Sequence, residues 1–211
     1  MKLEWLGHAS WKLKAGDKII YIDPYQGIYD EEADLILSTH SHMDHCDPSK
    51  VNAVKGEDTV VVAPADCAAK IGSPVKSLKP GEKATFGDIE IEAVEAYNIK
   101  RFRSPGVPFH PKGLGVGYLV RYGGKTLYHV GDSEFIPEMK DVKGVDLLLV
   151  PNGGTYTMDN EEAVEATVAI GPRKAIPMHT RESDPREFKE KVESASDVQV
   201  VLLKPGDTLK L

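Results

Sequence analysis

The stretch Thr39-His40-Ser41-His42-Met43-Asp44-His45-Cys46-Asp47 places three of the chain's seven histidines within positions 40–45, together with a carboxylate. Neutral imidazole and carboxylate are the ligands that suit zinc, iron and manganese. The stretch follows Asp34–Ser38, an apolar run of the length of a buried strand. A loop at a strand's end turns alternate side chains toward different targets. His40 and His42 can then serve one ion, and Asp44 and His45 another. The competing reading is a solvated polar loop opening a helix. Four ligand-type residues in this pattern rarely arise by chance, so a metal centre is the expectation.

Outward from this loop, Trp11–Lys14 and Lys18–Ile22 read as strands around Ala15-Gly16-Asp17, a hairpin signal. Thr59–Ala63 reads as a buried strand, and Ser49–Lys55 and Ala65–Ile71 as short helices. Asp88–Tyr97 alternates apolar and acidic residues with the period of a half-buried strand. Asp159–Ile170 and Asp184–Ser194 read as helices, the second with Asp184 as N-cap before Pro185.

The same plan occurs twice. Gly16, Lys18 and Tyr21 recur as Gly123, Lys125 and Tyr128 at an offset of 107, and Asp34–Leu37 as Asp146–Leu149 at 112. Ala63-Pro64 answers to Ile176-Pro177 at 113, and Leu78-Lys79-Pro80-Gly81-Glu82 to Leu203-Lys204-Pro205-Gly206-Asp207 at 125. Offsets that only grow predict an internal duplication with insertions in the later copy. Two sheets face to face, each half supplying strands and outer helices, are the expected architecture. At 211 residues the whole chain, 1–211, is expected to form one domain.

The run T-H-S-H-M-D-H resembles the H-x-H-x-D-H signature of the metallo-β-lactamase fold superfamily. Ile22-Asp23-Pro24 looks like that family's early aspartate, Gly131-Asp132-Ser133 like its later one, and Met178-His179 like its last histidine. Leu6-Gly7-His8-Ala9, Gly153–Asp159 and Ile176-Pro177-Met178-His179 resemble the small branch of metal-dependent hydrolases that includes ascorbate-6-phosphate lactonase-like proteins. The resemblance covers nearly the whole chain. It implies an α/β fold, a four-layer αββα sandwich of two mixed sheets with a binuclear site at one edge. By resemblance His40 and His42 would hold the first metal, Asp44, His45 and His179 the second, and Asp132 would bridge them. Asp23 would fix the histidine-rich loop by hydrogen bonds. The ions implied are two divalent metals, zinc first, with manganese or iron as alternatives.

The chain departs from the family at Asn98, where a histidine usually follows the strand. An amide oxygen replaces imidazole poorly on zinc. The expectation is that the loop from Asn98 to Gly117 folds back and brings His110 to the first metal. Asn98 as ligand or substrate contact, or a site with one well-held metal, are the alternatives. His8 is either a structural histidine or a contact beyond the ligands, and His129, inside a strand, is expected in the core or behind the ligands.

The chain carries 26 Lys and Arg against 33 Asp and Glu, a formal net charge of −7. From Ala96 to Gly131 no Asp or Glu occurs, while Lys100, Arg101, Arg103, Lys112, Arg121 and Lys125 do. That stretch is +6 and the remainder −13 (20 basic against 33 acidic). Lys100, Arg101, Arg103 and Lys112 flank His110, so they are expected to border the metals and hold a carboxylate or phosphate. A long polyanion such as nucleic acid is a poor partner for the acidic remainder.

These readings lead to a metal-dependent hydrolase. Metals lower the pKa of a bound water to give hydroxide near neutral pH, for attack on a small anionic ester, lactone or phosphoester. Asp44 and Asp132 are the carboxylates at the reacting centre. A phosphodiesterase or nuclease, an iron-dependent redox protein and a non-catalytic metal-binding module are the alternatives. Diiron relatives typically carry Glu where His42 stands, which disfavours redox chemistry. No signal peptide or membrane span is expected from the N-terminus or any apolar run, and Cys46 and Cys67 suggest no disulfide framework. A cytoplasmic protein is expected, and the sequence sets no oligomeric state.

Overall fold

The computed structural model describes residues 1–72 and 74–211. The first sheet contains β1 (Lys2–Gly7), β2 (Ser10–Ala15), β3 (Lys18–Ile22), β4 (Ala33–Leu37) and β5 (Lys55–Val62), with β15 (Thr208–Lys210) outside β1. The second contains β6 (Lys83–Phe86), β7 (Ile89–Ala96), β10 (Gly115–Tyr122), β11 (Lys125–His129), β12 (Leu147–Pro151), β13 (Lys174–Met178) and β14 (Gln199–Val200). Between β7 and β10 a small hairpin, β8 (Phe102–Ser104) and β9 (Val107–Pro108), stands apart from both sheets.

Strand periodicity assigns each side chain its layer. Leu35 and Leu37 of β4, and Leu147 and Leu149 of β12, point between the sheets into one shared core with Trp11, Leu13, Tyr118 and Ile176. Ile36 points the other way, toward helices α1 (Pro48–Val54) and α2 (Ala65–Ile71). Leu148 and Val150 likewise face α3 (Asn160–Ile170) and α4 (Pro185–Ala195). The result is the expected four-layer αββα sandwich of two mixed sheets. Helix starts follow their caps. Asp47 accepts from Ser49 N at α1, Asp159 and Glu162 form a capping box at α3, and Asp184 caps α4 ahead of Pro185.

The two halves share one register. In β2–β3, Lys12 faces Tyr21 and Leu13 faces Ile20; in β10–β11, Leu119 faces Tyr128 and Val120 faces Leu127. The next pair is parallel in both, with Tyr21 opposite Ile36 and Tyr128 opposite Leu148. Asp34 accepts from Lys18 Nζ at 2.9 Å and from Ile19 N at 2.8 Å. Asp146 repeats the clamp, accepting from Lys125 Nζ and Thr126 N, both at 3.0 Å. The Lys-Pro-Gly turns are alike too, Glu82 N donating to Lys79 O and Asp207 N to Lys204 O, each at 2.9 Å. They launch β6 onto β7 and β15 onto β1, so the halves exchange their last strands.

One alignment is corrected. Leu37 faces Val62 and Leu149 faces Ile176, so the equivalence at this point is Val62 with Ile176 rather than Ala63 with Ile176. The shared proline misleads, because Pro64 caps α2 whereas Pro177 lies inside β13. Strand β5 also starts at Lys55, ahead of the expected Thr59. Its first residues are polar and largely exposed at the sheet edge, so they carry no apolar period to read.

Antiparallel β1–β2 and β2–β3 set β1 parallel to β3 and β4, and the same holds for β7 with β11, β12 and β13. The carboxyl ends of these strands therefore collect at one edge of the sandwich. In open sheets that edge is where binding sites form.

Candidate metal centre

All seven histidines gather at this edge. His40, His42 and His45 lie in the loop after β4, His179 follows β13, His8 follows β1, and His110 lies between β9 and β10. The loop turns back through His45 N and Cys46 N, which both donate to His42 O, at 3.0 and 2.9 Å. Lys70 Nζ holds it from α2 by a hydrogen bond to Ser41 O. His129 alone faces away, its Nε2 3.1 Å from Ala9 O and 3.8 Å from Asp23 Oδ2.

The side chains form two adjoining clusters. His40 Nε2 and His110 Nε2 lie 3.1 and 3.2 Å from His42 Nδ1. His45, His179 and Asp44 form the second cluster, with His179 Nε2 3.8 Å and His45 Nε2 4.0 Å from Asp44 Oδ2. Asp132 spans both. Its Oδ1 is 3.2 Å from His45 Nε2, and its Oδ2 is 3.3 Å from His110 Nε2 and 3.4 Å from His179 Nε2.

These separations suit atoms that share an ion. Ligands about 2.0–2.1 Å from a tetrahedral zinc stand about 3.3 Å from one another. Three of the atoms, His45 Nε2, His179 Nε2 and Asp132 Oδ1, are buried with no hydrogen-bond partner. Buried polar atoms are seldom left so, and a cation between them would satisfy all three. Donor set, spacing and orphaned atoms agree, so the residues fit the metals that the sequence leads one to expect.

Electrostatics prepare two of the rings for the same state. Burial holds the His40 imidazole well below its usual range and His110 down to about 4, so both are neutral at pH 7 with lone pairs free. Burial acts likewise on His45, but the flanking Asp132 and Asp23 carboxylates outweigh it and raise this ring well above its usual value. For Asp132 burial works the other way and is overcome by His179 and His45, which keep the carboxyl well below the normal range. The aspartate is therefore an anion.

Supporting contacts fix the ring orientations. Asp23, fully buried, accepts from Thr39 N at 2.7 Å, from Thr39 Oγ1 at 2.8 Å and from His45 Nδ1 at 2.7 Å. His45 Nε2 is thereby aimed at Asp132. Thr39 Oγ1 also lies 3.1 Å from His40 Nδ1. Asn98 Oδ1 accepts from His110 N at 2.7 Å and faces His110 Nδ1 at 2.9 Å, while its Nδ2 donates to Tyr156 O at 2.8 Å. Asn98, tied to Tyr156 by its Nδ2, thus buttresses His110 through its Oδ1, and His110 lies in one cluster with His40 and His42. His8 Nε2 is 3.2 Å from Asp44 Oδ2, and its carbonyl accepts from His179 N at 3.3 Å, so it joins the second cluster. His8, Asp23 and His179 all have left-handed backbone, with φ of 53°, 47° and 51°. Strain of this kind concentrates at functional sites. Gly153 is required beside it, since a Cβ there would collide with His179 O.

The chain matches the Beta-lactamase superfamily domain over residues 2–179. It is 33% identical over 230 residues to a UPF0173 metal-dependent hydrolase of Pyrococcus abyssi and 31% identical over 231 residues to one of Pelotomaculum thermopropionicum, with 100% of each chain covered in both cases. The chain belongs to the metallo-β-lactamase superfamily, among the UPF0173 metal-dependent hydrolases. Among solved structures it is similar to Igni18, a metallo hydrolase of the archaeon Ignicoccus hospitalis, with a TM-score of 0.80 at 26% identity over 99% of this chain and 97% of that one.

Within this superfamily frame the substrate-facing residues differ from expectation. A cleft of about 240 Å³ opens over His42, Asp44, His110, Asp132 and His179. Of the four cations expected around it only Arg103 lines it. Arg101 is held by Glu134 at 2.9 Å, Glu162 at 2.5 Å and Asp159 at 3.2 Å. Lys100 pairs with Glu162 at 3.0 Å, and Lys112 with Glu138 at 2.8 Å. Lys100, Arg101 and Lys112 are thus neutralised by carboxylates from other segments, which one-dimensional charge counting cannot register. The cleft's other walls are Phe109, Tyr156 and Arg181. Arg181 is not among the residues expected from the sequence.

Proposed function

We propose that the chain is a binuclear metal hydrolase acting on a small ester, lactone or phosphoester that carries an anionic group. His40, His42 and His110 would hold one divalent ion, His45, His179 and Asp44 the other, and Asp132 both, with zinc expected first. Bound ions of this kind lower the pKa of a coordinated water toward neutrality and polarise the bond to be broken. The observation that carries this reading is Asp132 Oδ2, 3.3 Å from His110 Nε2 in one cluster and 3.4 Å from His179 Nε2 in the other.

The chain's own groups perform the remaining work. Asp132 and Asp44 stay ionised, so their oxygens accept rather than give protons. For Asp44 burial is outweighed by the neighbouring His179 imidazole, 3.8 Å away, and by the hydrogen bond with His8, which together hold the carboxyl far below its usual range. Asn98 and Asp23 lock the His110 and His45 rings, so the site needs little reorganisation on reaction. Phe109 and Tyr156 wall the cleft and exclude water from one side. The small cleft and the acidic remainder of the chain disfavour nucleic acid as substrate.

Cys46 and Cys67 are buried and free, and among the described residues no helix is long and apolar enough to cross a membrane; both suit a cytoplasmic enzyme.

The test is metal analysis of protein purified without added metal, then hydrolysis of phenyl acetate, simple lactones and a phosphodiester. Two equivalents per chain and turnover of one substrate class are expected, with both metal and turnover lost in Asp132→Asn and in His42→Ala. Full activity of either variant would sink the proposal.

A further inference from the structure

Arg103 and Arg181 stand apart from the other cations near the centre. Lys100, Arg101 and Lys112 each have a carboxylate within 3.0 Å. Among the described residues no carboxylate pairs with Arg103, whose Nη2 makes only a long contact of 3.4 Å with the Phe109 carbonyl. Arg103 lines the cleft together with His42. Arg181 approaches one carboxylate, Asp44, at 4.0 Å. That oxygen belongs to the cluster proposed to hold metal, so a bound cation would take its charge and leave the guanidinium uncompensated.

Arg181 is also held in place. Its guanidinium carbon lies 4.5 Å from the centre of the Tyr156 ring, and Phe109 meets that ring edge-on at 4.7 Å. The backbone at Arg181 is left-handed, with φ of 44°, an uncommon state for arginine that the surrounding structure must support. The second arginine comes from an unrelated segment. Arg103 sits in the β8–β9 hairpin, whereas Arg181 follows β13, and both line the same cleft above the clusters.

We propose that Arg103 and Arg181 together form the subsite that binds a carboxylate or phosphoryl group on the substrate, set away from the bond that is cleaved. This rests on the hydrolytic reading above and replaces the Lys100, Arg101 and Lys112 assignment suggested by sequence. Guanidinium suits the task because its planar fork matches both oxyanions and is weakly hydrated. Tyr156 is a positioning residue that presents the Arg181 fork to the cleft. The substrate class is then a compact monoester or lactone bearing one oxyanion, with Phe109 and Tyr156 beside its apolar part.

Benzoate and phenylphosphonate, titrated by calorimetry into the zinc-loaded full chain, supply the direct test. Arg103→Gln and Arg181→Gln should each raise the dissociation constant of at least one probe by about tenfold or more, the loss expected for a charge-assisted hydrogen bond. The probe with the larger loss identifies the group recognised. Lys112→Gln, at a residue that does not line the cleft and pairs with Glu138, should bind both within about twofold of wild type by the same reasoning. Circular dichroism and zinc content establish that each variant is folded and loaded. In parallel, the ratio of kcat/KM for monophenyl succinate to that for phenyl acetate should fall by about the same factor in both arginine variants.

Wild-type affinity in both arginine variants, an equal loss in Lys112→Gln, or no binding of either probe to wild type would overturn the inference. If the probes bind and depend on the arginines while wild type hydrolyses neither ester, the hydrolytic reading falls and the anion subsite stands. If both esters are hydrolysed and neither their kcat/KM ratio nor probe affinity depends on the arginines, the reverse holds.

Discussion

Asn98 Oδ1 serves two donors on a single residue, His110, through its backbone N at 2.7 Å and its ring Nδ1 at 2.9 Å. Because Asn98 Nδ2 donates to Tyr156 O, the oxygen must be the end that faces His110, and the imidazole must carry its proton on Nδ1. Nε2 is left bare toward His42 and Asp132. Asn98, which stands where the family resemblance leads one to expect a histidine, thus orients His110 instead.

Asn98→Ala should therefore strip the first cluster of its order. Two buried donors on His110 lose their acceptor, at a cost of about 1–3 kcal/mol in stability. Metal affinity should drop by about 10–100-fold, as for other losses of a ligand's supporting partner. Asn98→Asp keeps an acceptor in place and should retain more of the affinity than Asn98→Ala. Competition with a chromophoric chelator measures both, and equal affinity in wild type and Asn98→Ala would refute the role.

The repeated aspartate clamp gives a prediction on stability. Asp34 and Asp146 each bind one lysine and one backbone N–H in the same register, and both are partly exposed. Asp34→Ala and Asp146→Ala should each cost about 1 kcal/mol, mostly for the stranded N–H. Lying in different sheets, they should add in the double variant. Urea unfolding reads all three, and a cost at one site only would mean that the matching geometry is energetically incidental.

How far sequence reached follows from the range of the interactions. The His40–His45 loop, Asp132 and His179 were legible because ligand chemistry and strand ends are local signals. The repeat was legible because Asp34 and Asp146 each open a matching apolar strand and follow matching hairpins. The Arg101 ion pairs were not, since Glu134 and Glu162 lie 33 and more residues away and enter only through the fold. Arg181 escaped because an arginine in a polar loop has no local mark, and its meaning comes from the Tyr156 ring beneath it.

Glu134 carries the next prediction. Fully buried, it accepts from Ile99 N at 2.5 Å, Lys100 N at 2.6 Å and Arg101 Nη1 at 2.9 Å, so it ties down the segment that follows Asn98. Glu134→Ala leaves these donors and a half-buried guanidinium without that partner and should destabilise the fold by about 3 kcal/mol. Glu134→Gln must turn an amide N–H toward one donor or another and should lie between. Thermal unfolding with zinc titration checks both. A stable Glu134→Ala with unaltered zinc binding would show that the segment holds His110 without this anchor.

Metal removal tests the centre as a whole. Any ligand bound only by the folded state stabilises it by mass action, about 4 kcal/mol when its concentration is 1,000 times its Kd. For a chain of this size each kcal/mol shifts Tm by roughly 2–4 °C, so chelation should lower Tm by about 8–16 °C. Zinc should restore it. Asp23→Asn should blunt that restoration, because the Asp23 carboxylate accepts all three of its hydrogen bonds, from Thr39 N, Thr39 Oγ1 and His45 Nδ1. An amide N–H placed among these donors loosens the His45 ring at the second cluster. The metal-free variant then needs more zinc, by about 10–100-fold, to regain the same Tm. Equal zinc midpoints in wild type and Asp23→Asn would mean that His45 is aimed by packing alone.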